Sequence, residues 1–149
     1  MNRVQLPEDS NAIGWMFLPL KRYAQFRGRS GRREFWWYSL FLALGMILIP
    51  LLGVAIAEGG APQAGGWVGG LGVSLFFLGN FMPGLALSAR RFHDLGVSGH
   101  FLWLVYGGML FFSFLAWIAY LVVMALPGKN MPNRYGPPVY DVDVGQIFA

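Results

Sequence analysis

Arginine, histidine, aspartate and serine side chains interrupt an otherwise apolar sequence at "SARRFHDLGVSGHF", residues 88–101. These are residue types of nucleophilic triads, buried ion pairs and anion-binding sites. A triad is disfavoured, because the adjacent side chains of His93 and Asp94 diverge on a helix and do not converge on Ser98. The sequence also lacks the GxSxG turn that presents a nucleophilic serine.

Most of this segment fits a boundary between two helices. Arg90 and Arg91 carry the positive charge that the helix dipole favours at a C-terminus. Gly96 suits the left-handed conformation that ends a helix, and Ser98 can cap the next one. Asp94 is the exception, because a carboxylate at a helix C-terminus is unfavourable.

Asp94 therefore requires a nearby cation. Arg90 lies four residues earlier on the same helical face, and Arg32 and Arg33 lie on the same predicted side of the membrane. The sequence predicts a charged cluster at this point. Its candidate members are Arg29, Arg32, Arg33, Glu34, Arg90, Arg91, His93, Asp94 and Ser98.

The composition indicates the environment of this cluster. Hydrophobic residues make up 56% of the 149 residues and charged residues only 12%, whereas soluble domains have about 25% charged residues. Three uncharged stretches, about 35–57, 67–89 and 101–126, are each long enough to cross a bilayer, which takes about 20 residues. We predict an all-α integral membrane protein with three transmembrane helices.

The remaining segments are assigned from their patterns. Residues 12–26 carry apolar side chains at helical spacing with basic residues between them, which predicts a short N-terminal amphipathic helix at the membrane interface. Residues 1–11 form a polar N-terminal segment, 12–138 a single membrane domain and 139–149 a C-terminal tail.

The third apolar stretch admits two interpretations. Its 26 residues would extend about 39 Å as a helix, which is long for one crossing and too short for two. The pair Gly107 and Gly108 can allow a kink. The alternative to a third span is a re-entrant hairpin that returns the tail to the cytoplasm.

The distribution of basic residues predicts the orientation. Seven of the eleven lie in residues 1–33, two in the loop 90–100 and two in the tail, whereas the loop 58–66 has only Glu58. Lysine and arginine in short loops favour the cytoplasmic side. Three spans then place the N-terminus in the cytoplasm and the tail outside.

Polar and small residues within the second stretch predict helix packing. Asn80 lies at mid-membrane near Pro83, where it serves packing and backbone repair or marks a transport path. Glycine and serine recur at small-xxx-small spacing, which lets helices approach closely. These pairs are Gly66 with Gly70, Gly70 with Ser74, and Gly84 with Ser88.

Several classes of function are disfavoured by what the sequence lacks. There is no cysteine and there are only two histidines, so we predict neither a metal site nor a cofactor. The glycine-rich stretches lack the Lys-Ser or Lys-Thr of a nucleotide loop. The basic residues next to the first apolar stretch match anionic lipid headgroups, so we predict lipids rather than nucleic acid as their partner.

Three ordered motifs resemble a known family. "FRGRSGRREFWWY" (26–38), "ARRFHDLGVSG" (89–99) and "NRYGPP" (133–138) are similar to the domain of unknown function 805 family of bacterial inner-membrane proteins. The resemblance covers about residues 15–138. It implies a membrane fold and an inner-membrane location but no activity. Phe92 and His100 depart from the leucine and the aromatic residue that are usual in the family.

The resemblance implies which polar positions characterise the family. In this sequence they fall on Gly28, Arg29, Arg32, Glu34, Pro83, Arg90, Arg91, His93, Asp94, Gly96, Ser98, Gly99, Asn133, Arg134, Tyr135 and Gly136.

We therefore predict a non-enzymatic membrane protein whose charged cluster binds anionic headgroups or gates a channel or transport path. A second polar motif comprises Asn130, Asn133, Arg134 and Tyr135. Three short helices bury little surface, so we expect a homo-oligomer or a partner membrane protein. The alternatives are a structural or accessory subunit of a larger complex and, third, a lipid-modifying enzyme.

Overall fold

The structure is a computed structural model that describes residues 6–8 and 10–139. Within these residues it contains four α-helices and no β-strand, which confirms the predicted all-α class. The predicted tail beyond residue 139 and most of the predicted polar segment 1–11 lie outside the described residues. The helices are α1 (Ala12–Lys21), α2 (Arg32–Glu58), α3 (Pro62–Asp94) and α4 (Phe101–Ala125).

The chain divides into two compact units. We call the first the helical unit, formed by Met1–Ala24 and Trp36–Gly84, and the second the polar unit, formed by Gln25–Phe35 and Leu85–Ala149. The single membrane domain predicted over 12–138 stays a prediction.

The first helix is shorter than the predicted 12–26. Asn11 caps it, since the Asn11 Oδ1 accepts a hydrogen bond of 2.7 Å from the Gly14 N–H. Pro19 has no N–H to donate within the helix, and α1 ends two residues later at Lys21. The predicted interfacial position of this helix stays a prediction.

The first two predicted spans are confirmed as long apolar helices. Both α2 and α3 are long and apolar enough to cross a membrane. The connection between them is short because Gly60, at φ +97°, adopts the left-handed conformation that ends α2. Pro62 then starts α3 at the position where its missing N–H is harmless.

Glycines bring the backbones of α2 and α3 together within the helical unit. A Cβ atom placed on Gly53 would lie 2.7 Å from the Gly65 carbonyl oxygen and 2.8 Å from the Gly69 nitrogen. Real Cβ atoms do not approach other atoms this closely, so the contact requires glycine. Close backbone approach lets helices associate where water supplies no driving force.

Two of the three predicted small-residue pairs, Gly66 with Gly70 and Gly70 with Ser74, do not lie on the face of α3 that contacts α2. A Cβ atom placed on Gly66 or Gly70 would have no atom within 4 Å, whereas Gly65 and Gly69 contact Gly53 of α2. One residue along a helix turns the contact face by about 100°. The helix packing predicted from glycine spacing therefore occurs one residue away from the pairs that predicted it. Ser74 bonds the Gly70 carbonyl of its own helix.

Asn80 serves packing within the helical unit. The Tyr38 hydroxyl donates a hydrogen bond of 2.8 Å to the Asn80 Oδ1. The Asn80 amide in turn donates to the Phe76 carbonyl at 2.8 Å. That carbonyl is not the one that Pro83 leaves without a donor, which belongs to Gly79. These bonds are packing contacts and do not repair the break at Pro83; the alternative role of Asn80, marking a transport path, stays a prediction.

The third apolar stretch does not form one straight helix. Phe112, at φ −125° and ψ 26°, breaks α4 into Phe101–Phe112 and Phe114–Ala125. A Cβ atom placed on Gly108 would lie 3.6 Å from the Ala116 Cβ, whereas eight residues of straight helix span about 12 Å. The two arms therefore fold back against each other, and we call α4 the hairpin.

Both ends of the hairpin lie beside the C-terminal end of α3. Before the first arm, a Cβ atom on Gly99 would lie 3.3 Å from the Ala89 Cβ. At the end of the second arm, the Arg91 Nε donates to the Met124 carbonyl at 3.2 Å. Residues 101–126 thus do not form the single long helix that was predicted, because both ends are held at one place; how often this stretch crosses the membrane stays a prediction.

Candidate functional site

Three segments of the polar unit meet at the C-terminal end of α3. They are the loop before α2, the last turn of α3 and the segment after the hairpin. The Ser30 N–H donates to the Arg90 carbonyl at 3.2 Å, and the Lys129 N–H donates to the Asp94 carbonyl at 3.0 Å. The Asp94 carbonyl ends the helix, where carbonyls lack partners within it, so a neighbouring segment can bind there.

Asp94 accepts hydrogen bonds from two arginines. The Arg29 Nε lies 2.8 Å from its Oδ1 and the Arg91 Nη1 lies 2.6 Å from its Oδ2. All three side chains are buried. The predicted partners Arg90, Arg32 and Arg33 were wrong for Asp94. Arg91, at i−3, reaches the carboxylate, and Arg29 comes from a loop 65 residues away in sequence.

Arg90 belongs to a second ion pair. Its Nη2 donates to the Glu34 Oε1 at 3.1 Å and its Nε to the Ser30 Oγ at 2.8 Å. Its Nη1 donates to the Gln25 carbonyl. Arg90 and Arg91 are adjacent and point about 100° apart on the helix, so each binds a different carboxylate.

The guanidinium groups also hold the chain that follows the hairpin. Arg29 donates to the Met131 carbonyl at 2.9 Å and to the Lys129 carbonyl. Besides Met124, Arg91 binds the carbonyl of Leu126. Arginine suits this role because its planar group presents five N–H donors in a fixed geometry. The ion pairs therefore tie three segments together.

His93 is held in one orientation by three contacts. Its Nδ1 N–H donates to the Gly28 carbonyl at 3.1 Å, its ring stacks on Tyr135 with 3.8 Å between centroids, and its carbonyl accepts the Asn133 amide at 2.9 Å. Gly28 has a φ of +95°, which favours glycine there. These contacts make His93 a packing residue within the cluster.

The two predicted polar motifs are brought together. Asn133 and Gly136 exchange backbone hydrogen bonds of 3.1 and 3.0 Å in a tight turn, and Arg134 lies over the Tyr135 ring at 4.7 Å. Through Tyr135 and Asn133 this turn contacts His93. Residues 133–136 therefore lie beside residues 90–100, whereas the sequence placed them on opposite sides of the membrane; the membrane side of each stays a prediction.

A cleft of about 80 Å³ opens onto the cluster. Arg29 and Asp94 line it from the buried side, whereas Arg32, Lys129 and Asn130 are exposed at its edge. The segment from Pro127 to Asn130 supplies much of its wall. The cleft thus presents two exposed cations and an amide next to the buried ion pairs.

Two other predicted residues, Ser98 and Asn80, take part in neither of these ion pairs. Ser98 bonds His100, with 3.0 Å between the Oγ and the Nδ1, and α4 begins at Phe101 without a side-chain cap. Arg33 is exposed. Asn80 belongs to the helical unit.

Sequence reasoning missed the partners that are not charged. The Ser88 Oγ and the Tyr120 hydroxyl lie 2.7 Å apart and join α3 to the second arm of the hairpin. The carbonyls of Gln25 and Met124 bind arginines. Backbone carbonyls carry no sequence signal, and Tyr120 lies in an apolar stretch that hides its role.

The buried ionic side chains have unequal charge. Among the residues that the structure describes, three buried arginines, Arg29, Arg90 and Arg91, accompany two buried carboxylates, Glu34 and Asp94. Among these side chains the formal balance is one positive charge. Buried charge is costly unless it is paired, so an anion at the cleft would reduce this imbalance.

Comparison with known proteins agrees with the membrane assignment. Residues 23–137 match the family described as "Protein of unknown function (DUF805)". The chain is similar to "Inner membrane protein YhaI" of Escherichia coli (strain K12), at 32% identity over 126 residues, with 82% of this chain and 92% of that protein covered. It is also similar to "Inner membrane protein YhaH" of the same strain, at 30% identity, with 84% and 95% covered. No solved structure matches the chain.

Proposed function

The chain belongs to the DUF805 family, and we propose that it is a two-span inner membrane protein whose cytoplasmic cleft binds the phosphate groups of anionic lipids. Its inner-membrane location follows from these relatives. The topology and the headgroup site are our proposals. Each rests on its own observations.

The folded-back hairpin supports the two-span topology. Residues 101–126 carry no charge, and both ends of α4 lie beside the last turns of α3. In this topology α2 and α3 cross the bilayer and the hairpin enters from the cytoplasm and returns to it. All eleven basic residues then lie on the cytoplasmic side, against nine in the three-span alternative, which agrees better with the positive-inside rule.

The cleft is the observation that carries the headgroup proposal. Arg32 and Lys129 are exposed at its edge, and the buried ion pairs behind it have an excess positive charge. A basic residue near an anionic membrane surface contributes about 1 kcal/mol. We therefore assign phosphate binding to Arg32, Lys129 and the Asn130 amide, with Arg29 and Asp94 holding the cleft in shape.

Single cysteines in this cysteine-free chain test the topology. Ala61→Cys lies in the turn between α2 and α3, while Ser98→Cys and Pro132→Cys flank the two ends of the hairpin. With a membrane-impermeant thiol reagent, we expect only Ala61→Cys to be labelled on intact cells and the other two only after lysis. Labelling of Pro132→Cys on intact cells would restore the three-span topology.

Paired variants test the headgroup site. Phosphatidylglycerol should raise the unfolding temperature of the protein. We expect the double variant Arg32→Gln with Lys129→Gln to need about tenfold or more phosphatidylglycerol for the same stabilisation, since two contributions of about 1 kcal/mol are lost. Arg27→Gln with Arg134→Gln removes two positive charges that do not line the cleft.

The control pair distinguishes a site from general attraction. An equal loss in both pairs would contradict a cleft site and indicate only surface electrostatics. Phosphatidylcholine should stabilise all variants alike, because its headgroup has no net charge. Inorganic phosphate is added alone to separate the two sources of the anion: stabilisation by phosphate at the lipid's effective concentration would contradict a lipid-specific site.

A further inference from the structure

The arms of the hairpin are too short to cross a bilayer. Phe101–Phe112 and Phe114–Ala125 have 12 residues each, or about 18 Å at a rise of 1.5 Å per residue. The hydrocarbon core is about 30 Å thick. An arm that starts at one interface therefore ends near the middle of the bilayer.

The turn of the hairpin suits an acyl-chain environment. Leu110 and Phe111 are each 83% exposed and Phe114 is 73% exposed, so the protein covers little of their apolar surface. Charged and titratable nitrogen-bearing side chains lie instead at the two ends, where His100 and Lys129 are exposed. An uncharged turn with polar ends matches insertion from one interface into the acyl chains of a single leaflet.

We propose that the hairpin inserts into the cytoplasmic leaflet only and makes the protein favour membranes in which that leaflet is convex. The inference rests on the two-span topology of the proposed function. The lipid acyl chains of that leaflet are the partner of the exposed hairpin surface. The headgroup cleft plays no part in the argument.

The preference for convex membranes follows because the protein occupies more area in the cytoplasmic leaflet than in the other one. A helix with its side chains is about 10–12 Å wide, so two arms occupy about 200 Å² of membrane plane. The hairpin has no counterpart that enters from the other interface. Insertion into one leaflet expands that leaflet, and binding of such elements depends on curvature. The protein therefore has lower free energy where the cytoplasmic leaflet is stretched.

The orientation of the reconstituted protein tests this inference. The Pro132→Cys and Ala61→Cys proteins are reconstituted separately into phosphatidylcholine vesicles that have been extruded to a series of decreasing diameters. Each sample is labelled with the impermeant reagent before and after the vesicles are dissolved in detergent. As the diameter falls, we expect the outward fraction of Pro132→Cys to rise to about a twofold excess over the inward fraction. The fraction for Ala61→Cys should fall in parallel.

A shortened hairpin is the matched control. Deleting residues 106–119 removes about half of each arm but keeps Leu102, Tyr120 and Met124 near the ends. We expect the dependence on diameter to diminish in this variant. If the shortened chain fails to fold, the series with the full chain still decides, because an orientation independent of diameter overturns the inference.

The outcomes separate this inference from the proposed topology. If Pro132→Cys is labelled on intact cells, the topology and the inference both fall. If Pro132→Cys is labelled only after lysis but its orientation in vesicles does not depend on their diameter, the topology stands and the curvature inference is contradicted. A full dependence on diameter in the shortened variant would also overturn it, because the hairpin would not be the cause.

Discussion

The helical unit and the polar unit are stabilised by opposite kinds of contact. In the helical unit, Gly53 lets the backbone of α2 meet Gly65 and Gly69 of α3, so the contact consists of the smallest groups available. In the polar unit, the longest side chains in the sequence meet: buried arginines bind carboxylates and carbonyls across the segments. The helical unit depends on residues without side chains, and the polar unit depends on buried arginines that carboxylates and backbone carbonyls bind.

This difference shows how a small membrane protein can order two regions without a large core. Apolar side chains facing lipid give helices no reason to associate, so close packing and hydrogen bonds must do it. Buried ions stabilise a region only when nearly every donor and acceptor is paired, and removing one partner is strongly destabilising. We therefore expect the polar unit to be the more sensitive of the two.

Removing the Asp94 charge is expected to have the largest effect. Asp94→Asn leaves the buried Arg29 and Arg91 without the carboxylate they share, which costs about 3–5 kcal/mol for a broken buried pair. The measurement is thermal unfolding of the purified protein in detergent. Glu58→Gln, which removes an exposed carboxylate, is the control and should change little. Equal stability of both variants would show that Asp94 is not needed to balance the arginines.

The helices of both units were largely predictable, because uncharged stretches and helix ends are local signals. Residues 35–57 and 67–89 fall within α2 and α3. The charged residues of the cluster were also predicted, but their pairing was not. Arg29 meets Asp94 only because a loop with Gly28 at φ +95° turns it there. That path depends on the assembled segments and not on residue spacing.

The contact face and the hairpin could not be predicted for related reasons. Glycine spacing in α3 predicts that a close contact exists, but Gly65 and Gly66 differ only in which one faces α2. The sequence of α3 alone does not contain that register. Similarly, Gly107 and Gly108 indicate a weak point in α4, yet the break lies at Phe112. The position of this break is explained by the contacts that hold both ends of the hairpin beside α3.

Alanine substitutions at two neighbouring glycines, Gly65 and Gly66, should change stability by an intermediate amount and test the contact face within the helical unit. Gly65→Ala places a methyl group against the Gly53 backbone, and overpacking of this kind costs about 1–3 kcal/mol. Gly66→Ala meets nothing within 4 Å and should be neutral or stabilise the helix by about 0.5–1 kcal/mol. Thermal unfolding of the two variants measures the difference. If both changed stability alike, the contact face assigned to α3 would be wrong.

The smallest effect is expected for the hydrogen bond between Tyr38 and Asn80, which joins α2 to α3 within the helical unit. The Tyr38 hydroxyl and the Asn80 Oδ1 lie 2.8 Å apart, and hydrogen bonds between membrane helices contribute about 0.6 kcal/mol on average and up to about 1.7. A double-mutant cycle with Tyr38→Phe and Asn80→Ala isolates this coupling, since the loss of side-chain volume at each position cancels. A coupling in this range would show that the helical unit needs this hydrogen bond less than the polar unit needs Asp94. A coupling of zero would mean that glycine packing alone orients α2 against α3, and a coupling as large as the Asp94→Asn effect would remove the distinction between the two units.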